Sequence, residues 1–121
     1  MANPNIVNVT EIYGNSKSML VQSTVATAYI ANASGSGKIY KINSLYVSNY
    51  DGTNAADITL THFLSNTGNG TLLSTVSVAA DSTLVALTKD SSIYLMEYGE
   101  IRVSSNSTTA LNLFCSWDEI K

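Results

Sequence analysis

The chain has 121 residues, the length of one domain with one hydrophobic core. Charged residues make up only 12% of it while hydrophobic residues reach 45%, a balance opposite to that of a disordered chain. With a net charge of −3 and no Lys/Arg cluster, it carries no electrostatic footprint for nucleic acid and no attraction to an anionic membrane.

In chain order, Met1 to Ile6 lack the positive start and apolar stretch of a secretory leader, and no run approaches the ~18 apolar residues of a spanning helix. A soluble protein is expected. Residues 1–7 read as an extended N-terminal arm, because Pro4 is barred from a central strand and the asparagines favour open backbone. Such an arm is either disordered or docked on a neighbour; Ile6, Val7 and Val9 need cover, which makes them candidate interface residues of the docked form. The domain proper is expected over 8–121.

Period-two patterning then recurs to the end of the chain. Met19, Val21, Val25 and Tyr29 form an odd-numbered apolar row. From Lys38 to Tyr50 the parity shifts: Tyr40 and Ile42 point one way, Leu45 and Val47 the other, so a bulge is expected near Asn43–Ser44. Ile58, Leu60, His62 and Leu64 alternate with Thr59, Thr61 and Phe63. Leu72, Val76 and Val78 face away from Thr75 and Ser77, and Leu111, Leu113, Cys115 and Trp117 alternate with Asn112, Phe114 and Ser116. Clusters rich in Gly, Asn, Asp and Ser separate these runs. Short strands at this spacing, rich in Thr, Val, Ile and Tyr, predict an all-β fold: an antiparallel β-sandwich of jelly-roll or Ig-like type, with no long helix.

The chemistry a site would need is sparse. His62 is the sole histidine and lies in an apolar row, and no Gly-x-Ser-x-Gly elbow is present, so no catalytic residue and no enzyme is expected. One His and one Cys cannot complete a zinc site, and Cys115, being alone, excludes an internal disulfide framework. No metal and no cofactor are expected. Ser34-Gly35-Ser36-Gly37-Lys38 glances at a phosphate-binding loop, but Asn32 and Ile39 replace its first glycine and final Ser/Thr, which leaves a hairpin turn as the better reading. Asp51 to Asp57 offers oxygen ligands for calcium in a spacing that turns also use. Asp118 and Glu119 alternate faces and cannot flank one bond. Four Asn-x-Ser/Thr matches, at Asn8, Asn32, Asn69 and Asn106, follow from composition. Tyr40, Tyr46 and Tyr50 share parity: such rings either pack in the core or, exposed in a row, pack on protein or stack on sugars, which makes them candidate interface residues, though a bulge at Asn43–Ser44 would break the row.

Four runs carry a resemblance: Ile42-Asn43-Ser44-Leu45-Tyr46-Val47-Ser48-Asn49; Ala56-Asp57-Ile58-Thr59-Leu60; Leu73 to Ala80 followed by Ile93-Tyr94-Leu95; and Glu100-Ile101-Arg102-Val103 with Cys115-Ser116-Trp117-Asp118-Glu119-Ile120. They resemble small virion structural proteins of tailed double-stranded DNA phages, cyanobacterial ones included. Tyr98 stands where that pattern has an acidic residue before Gly99. The resemblance covers residues 38–120 and implies a β-sandwich oligomer bound to other virion proteins. Capsid decoration or cement comes first, with a neck or tail accessory as the alternative, in a virion assembled in the host cytoplasm. A carbohydrate-binding, receptor-recognising module is the competing reading, with the tyrosines and Asp51 to Asp57 as its site.

Overall fold

The computed structural model describes residues 4–22, 24–64 and 68–121. Among these lie nine strands: β1 (Ile12–Leu20), β2 (Thr27–Ala31), β3 (Ile39–Asn49), β4 (Ala56–Leu64), β5 (Gly68–Val78), β6 (Thr83–Leu87), β7 (Ile93–Leu95), β8 (Gly99–Ser105) and β9 (Leu111–Ile120). The one helical piece among them is a 3-10 turn at Lys89–Ser91. The strands form two antiparallel sheets. One has the order β1-β9-β3-β6, with β7 pairing the other half of β3, and the second has the order β2-β8-β4-β5.

This pairing is nested. β4 pairs β5, β3 pairs β6 and β7, β2 pairs β8 and β1 pairs β9, each antiparallel, as though one long hairpin had been rolled up so that β9 meets β3 and β8 meets β4. That is the jelly roll, with β6 and β7 sharing one strand position. Of the two sandwich types the patterning allows, the crossovers select this one.

The core lies between the sheets. Ile42, Leu45 and Val47 of β3 and Leu111, Leu113 and Cys115 of β9 face Ile58 and Leu60 of β4 and Ile101 and Val103 of β8, all buried. β3 keeps its apolar residues inward because Ile42 pairs Trp117 and Ser44 pairs Ser116, which leaves Asn43 as the extra residue of a bulge. The parity shift in the sequence is therefore a real backbone feature.

β5 departs from the expected alternation. Ile58 pairs Val76 and Leu60 pairs Leu73, so β5 spends an extra residue where Thr75 takes a positive φ of 51°. Leu73 and Val76 consequently pack on the core while Leu72 is exposed. In the odd-numbered row of the first strands, Val21 and Tyr29 are buried and Met19 packs on the core, but Val25 is exposed in the connection between β1 and β2.

Two buried asparagines hold the loops at either end of β3. Asn32 Nδ2 donates to Lys38 O and Leu95 O at 2.9 and 3.0 Å, and its Oδ1 accepts from Ser36 Oγ at 2.6 Å. Asn49 Nδ2 donates to Asn54 O and Val78 O at 3.0 and 2.9 Å, and its Oδ1 accepts from the Asp51 N–H at 2.9 Å. Each satisfies backbone groups that the loops would otherwise bury unpaired. Asn32 is therefore a structural residue, not a surface glycosylation acceptor.

At the open side of the sandwich, Tyr29 O–H donates to Lys17 O and Leu113 O at 2.6 and 3.0 Å, and Lys17 Nζ returns a bond to Tyr29 O at 2.8 Å. This exchange ties β2 to β1 across the sheets.

Candidate functional site

The residues with chemical potential are spent on structure. Cys115 is buried, and burial pushes its thiol up to about 12, against a smaller opposing effect of the Lys17 charge, so the nucleophilic thiolate is suppressed. His62 is half-buried on β4, and its Nε2 is enclosed without a hydrogen-bond partner among the described residues. Among the described residues, no three His, Cys, Asp or Glu side chains converge as a metal site would require.

The glycine-rich loop is not a hairpin turn, because it carries the chain from one sheet to the other, from β2 to β3. Gly35 and Gly37 take positive φ values of 75° and 68° and aim their N–H groups at Glu97 at 3.1 and 2.9 Å. The loop does cradle an anion, and the anion is the chain's own buried carboxylate.

Asp51 and Asp57 do not cooperate. The Asp51 carboxylate accepts from the N–H groups of Thr53 and Asn54 at 2.8 and 3.1 Å, which hold it below its ordinary range. Asp57 turns to Asn106 across the sheet: its N–H donates to Asn106 Oδ1 at 2.9 Å, and Asn106 Nδ2 donates back to its carboxylate at 3.4 Å. The loop's oxygens serve turn and strand. Asp118 points outward from β9, while Glu119 accepts from Asn15 Nδ2 at 2.6 Å and pairs with Lys38 at 3.3 Å.

The tyrosines separate. Tyr40, ahead of the bulge, faces inward, packs on the core and stacks on Trp117 with centroids 6.4 Å apart. Its hydroxyl is pushed up to about 12 by burial and by the Glu119 carboxylate. Tyr46, after the bulge, faces outward, and Tyr50 lies exposed just past the strand end. The three rings form no row, because the extra residue at Asn43 reverses the faces between the first two. Trp117 is partly buried, and β9 is an interior strand of its sheet, flanked by β1 and β3.

An exposed row exists elsewhere, on the outer face of the five-stranded sheet. Ser18 pairs Phe114, Phe114 pairs Tyr46 and Tyr46 pairs Val85. Phe114 is 41%, Tyr46 38% and Val85 48% exposed. Beside it runs a lane of three small residues, Ser16, Ser116 and Ser44, and beyond that Gly14, Asp118, Lys41 and Tyr94 in register. The rings and hydroxyls bound a shallow depression of about 430 Å³. Sequence reasoning finds Tyr46 here but misses Phe114, whose signal is an aromatic standing at solvent parity between Asn112 and Ser116.

Of the arm, residues 1–3 lie outside the described residues. Asn5 closes a turn, its O accepting from the Asn8 N–H at 3.1 Å and its Oδ1 from the Val7 N–H at 2.9 Å. Ile6 and Val7 are exposed at 54% and 84%, and Val9 is half-buried. Thr10 and Glu11 then donate to Lys121 O at 2.7 and 3.1 Å, which pins the arm's base to the end of β9.

No family model matches the sequence, and no curated protein matches it either. Among solved structures, the chain is similar to one of Bacillus endospore appendages, described as a family of disulfide-linked pili. The identity is 17%, the match covers 91% of this chain and 88% of that one, and the TM-score is 0.52, so the two share a β-sandwich fold. A second match is the CBM22-1 and GH10 modules of Clostridium thermocellum xylanase 10B with xylohexaose. It is 15% identical, covers 77% of this chain and 18% of that one, and has a TM-score of 0.33, too low to bear on this chain.

Proposed function

We propose that this chain is a structural subunit of an assembled particle, working through protein–protein contacts, and that its specific role is decoration of a tailed-phage capsid. The observation that carries the assembly reading is the outer face of the five-stranded sheet, where Phe114, Tyr46 and Val85 stand exposed in one register. Large apolar side chains aligned on a nearly neutral surface gain by being covered. The arm tip adds a second apolar feature, Ile6 and Val7, on a base anchored by Lys121.

The pili of the Bacillus structure are disulfide-linked, and that linkage does not carry over: the single cysteine here, Cys115, is buried. Contacts of this chain would be non-covalent. The capsid is favoured by the resemblance of residues 38–120, with a neck or tail position as the variant. Mass spectrometry of purified virions from the phage that encodes the chain tests the role. The expected result is a multi-copy component whose copy number falls when residues 1–7 are deleted. Unchanged incorporation would remove the arm from the account, and absence from the particle would overturn the virion role.

A sugar-binding reading draws on the depression beside Tyr46 and Phe114, where rings adjoin the hydroxyls of Ser16, Ser44 and Ser116. A glycan array with no signal above background, or a signal unchanged in Tyr46→Ala, would dismiss it.

A further inference from the structure

We infer that the outer face of the five-stranded sheet is a self-complementary surface that packs on the same face of a second copy of this chain, the two related by a two-fold axis running along the strands between β9 and β3. This rests on the assembly reading and names the surface and the partner. In a face-to-face arrangement, such an axis lays β9 of one copy over β3 of the other while keeping each cross-strand row at its own level. Every row can then be checked for what it would meet.

Phe114 and Tyr46 are Cα partners, so each would meet the other's counterpart in the second copy, ring on ring. Ser116 and Ser44 are partners in the next row, so the small lane meets itself and lets the backbones approach. One row further, Asp118 and Lys41 are partners on β9 and β3. They are the two charged residues that point outward from these strands, they differ in sign, and neither is in an ion pair among the described residues. The axis places each over the opposite charge of the second copy. At the flanks of that row, Gly14 on β1 would face Tyr94 on β7, a position without a side chain against a ring that is 40% exposed. Ser18 on β1 would likewise face Val85 on β6.

Size agrees with a specific contact. A fourth outward row, Leu20, Asn112, Ser48 and Thr83, lies beyond Phe114 and Tyr46, and four strands at ~4.8 Å spacing with four rows at ~6.7 Å give a footprint of roughly 500 Å² per chain, about 1,000 Å² in all. That is the lower limit for a specific interface, and it fits aligned sheet packing at ~10 Å separation. The row beyond, Ile12, Ile120 and Ile39, is excluded from the footprint, because Ile120 and Ile39 are already buried within the single chain.

Sedimentation equilibrium of the full chain and of charge variants tests this. The expected result is a reversible dimer with Kd in the ~1–100 μM range. Lys41→Glu alone and Asp118→Lys alone, which put like charges face to face, should each weaken it at least ~10-fold, and the double variant should return to within ~3-fold of the starting affinity. Thermal melts of all three separate a folding defect from an interface defect, and Tyr46→Lys, an exposed site, supplies an independent disruption. An oligomer indifferent to these changes would overturn this face while leaving the assembly reading intact. A chain that stays monomeric to ~1 mM would overturn the inference, and virion incorporation would then decide the assembly reading separately.

Discussion

The two sheets share one strand grammar and finish their outer faces differently. On the four-stranded sheet the outward aromatic, Phe63, is covered by the Arg102 guanidinium 3.5 Å from its ring centre, and Arg102 Nε is paired with Glu100 at 2.7 Å. Thr59 Oγ1 accepts from the Thr75 N–H at the bulge, and Asp57 is matched to Asn106. That face satisfies itself within one chain. On the five-stranded sheet, Phe114, Tyr46 and Val85 have no such cover among the described residues, and Asp118 and Lys41 stand side by side without an ion pair to any of them. Identical alternation thus yields one closed surface and one open surface, and the difference lies in the solvent-facing residues, which the fold does not constrain.

The comparison breaks first at Leu113 and Phe114, neighbours on β9 that face opposite ways. Leu113→Ala should cost about 2–5 kcal/mol in urea unfolding, since Leu113 is fully buried in the core. On the closed face, Arg102→Ala uncovers Phe63 and removes the Glu100 pair, and should cost about 1 kcal/mol. On the open face, Phe114→Ser should change the stability of the dilute chain by no more than about 0.5 kcal/mol, although it removes a larger side chain than Leu113→Ala does. A Phe114→Ser cost as large as that at Leu113 would mean the two faces are not different in kind.

The smallest effect at neutral pH sits on the inner side of the same sheet. An unfolded thiol titrates near ~8.5 while folded Cys115 is held up to about 12. Its contribution is complete below ~8.5 and declines as pH rises toward 12, because the unfolded chain sheds its proton first. Tyr40 acts in the same direction from ~10 to about 12. Unfolding midpoints measured from pH 7 to 11 should fall less steeply in Cys115→Ala.

Much of the fold is legible in the sequence, because a half-buried strand must alternate. The bulge at Asn43 shows as a slipped parity between Ile42 and Leu45, and β4 and β9 show as unbroken rows. What is not legible follows from the same physics. Leu72 and Leu73 are adjacent and chemically equivalent, so only pairing against Leu60 reveals which one faces the core. The glycine-rich loop reads as a turn because its partner, Glu97, is some sixty residues away. The open face is hardest to read, since it is assembled from β1, β9, β3, β6 and β7, and Phe114 acquires meaning only once Tyr46 and Val85 are known to lie beside it.

The nested pairing of the strands has a kinetic consequence. Ile12 opposes Ile120, and formed first that contact would close a loop of nearly the whole chain. β4 and β5 are separated by residues 65–67 alone, so their union is the least expensive in entropy, and each pair outward from it then closes a short remaining loop. Folding should run outward from β4 and β5 and end with β1 laid on β9. In chevron measurements, mild substitutions in β4 should slow refolding, whereas those in β1 should mainly speed unfolding. The edge strand of the open face would thus be the last to join, and during synthesis that face would stay incomplete until the final residues of β9 are made.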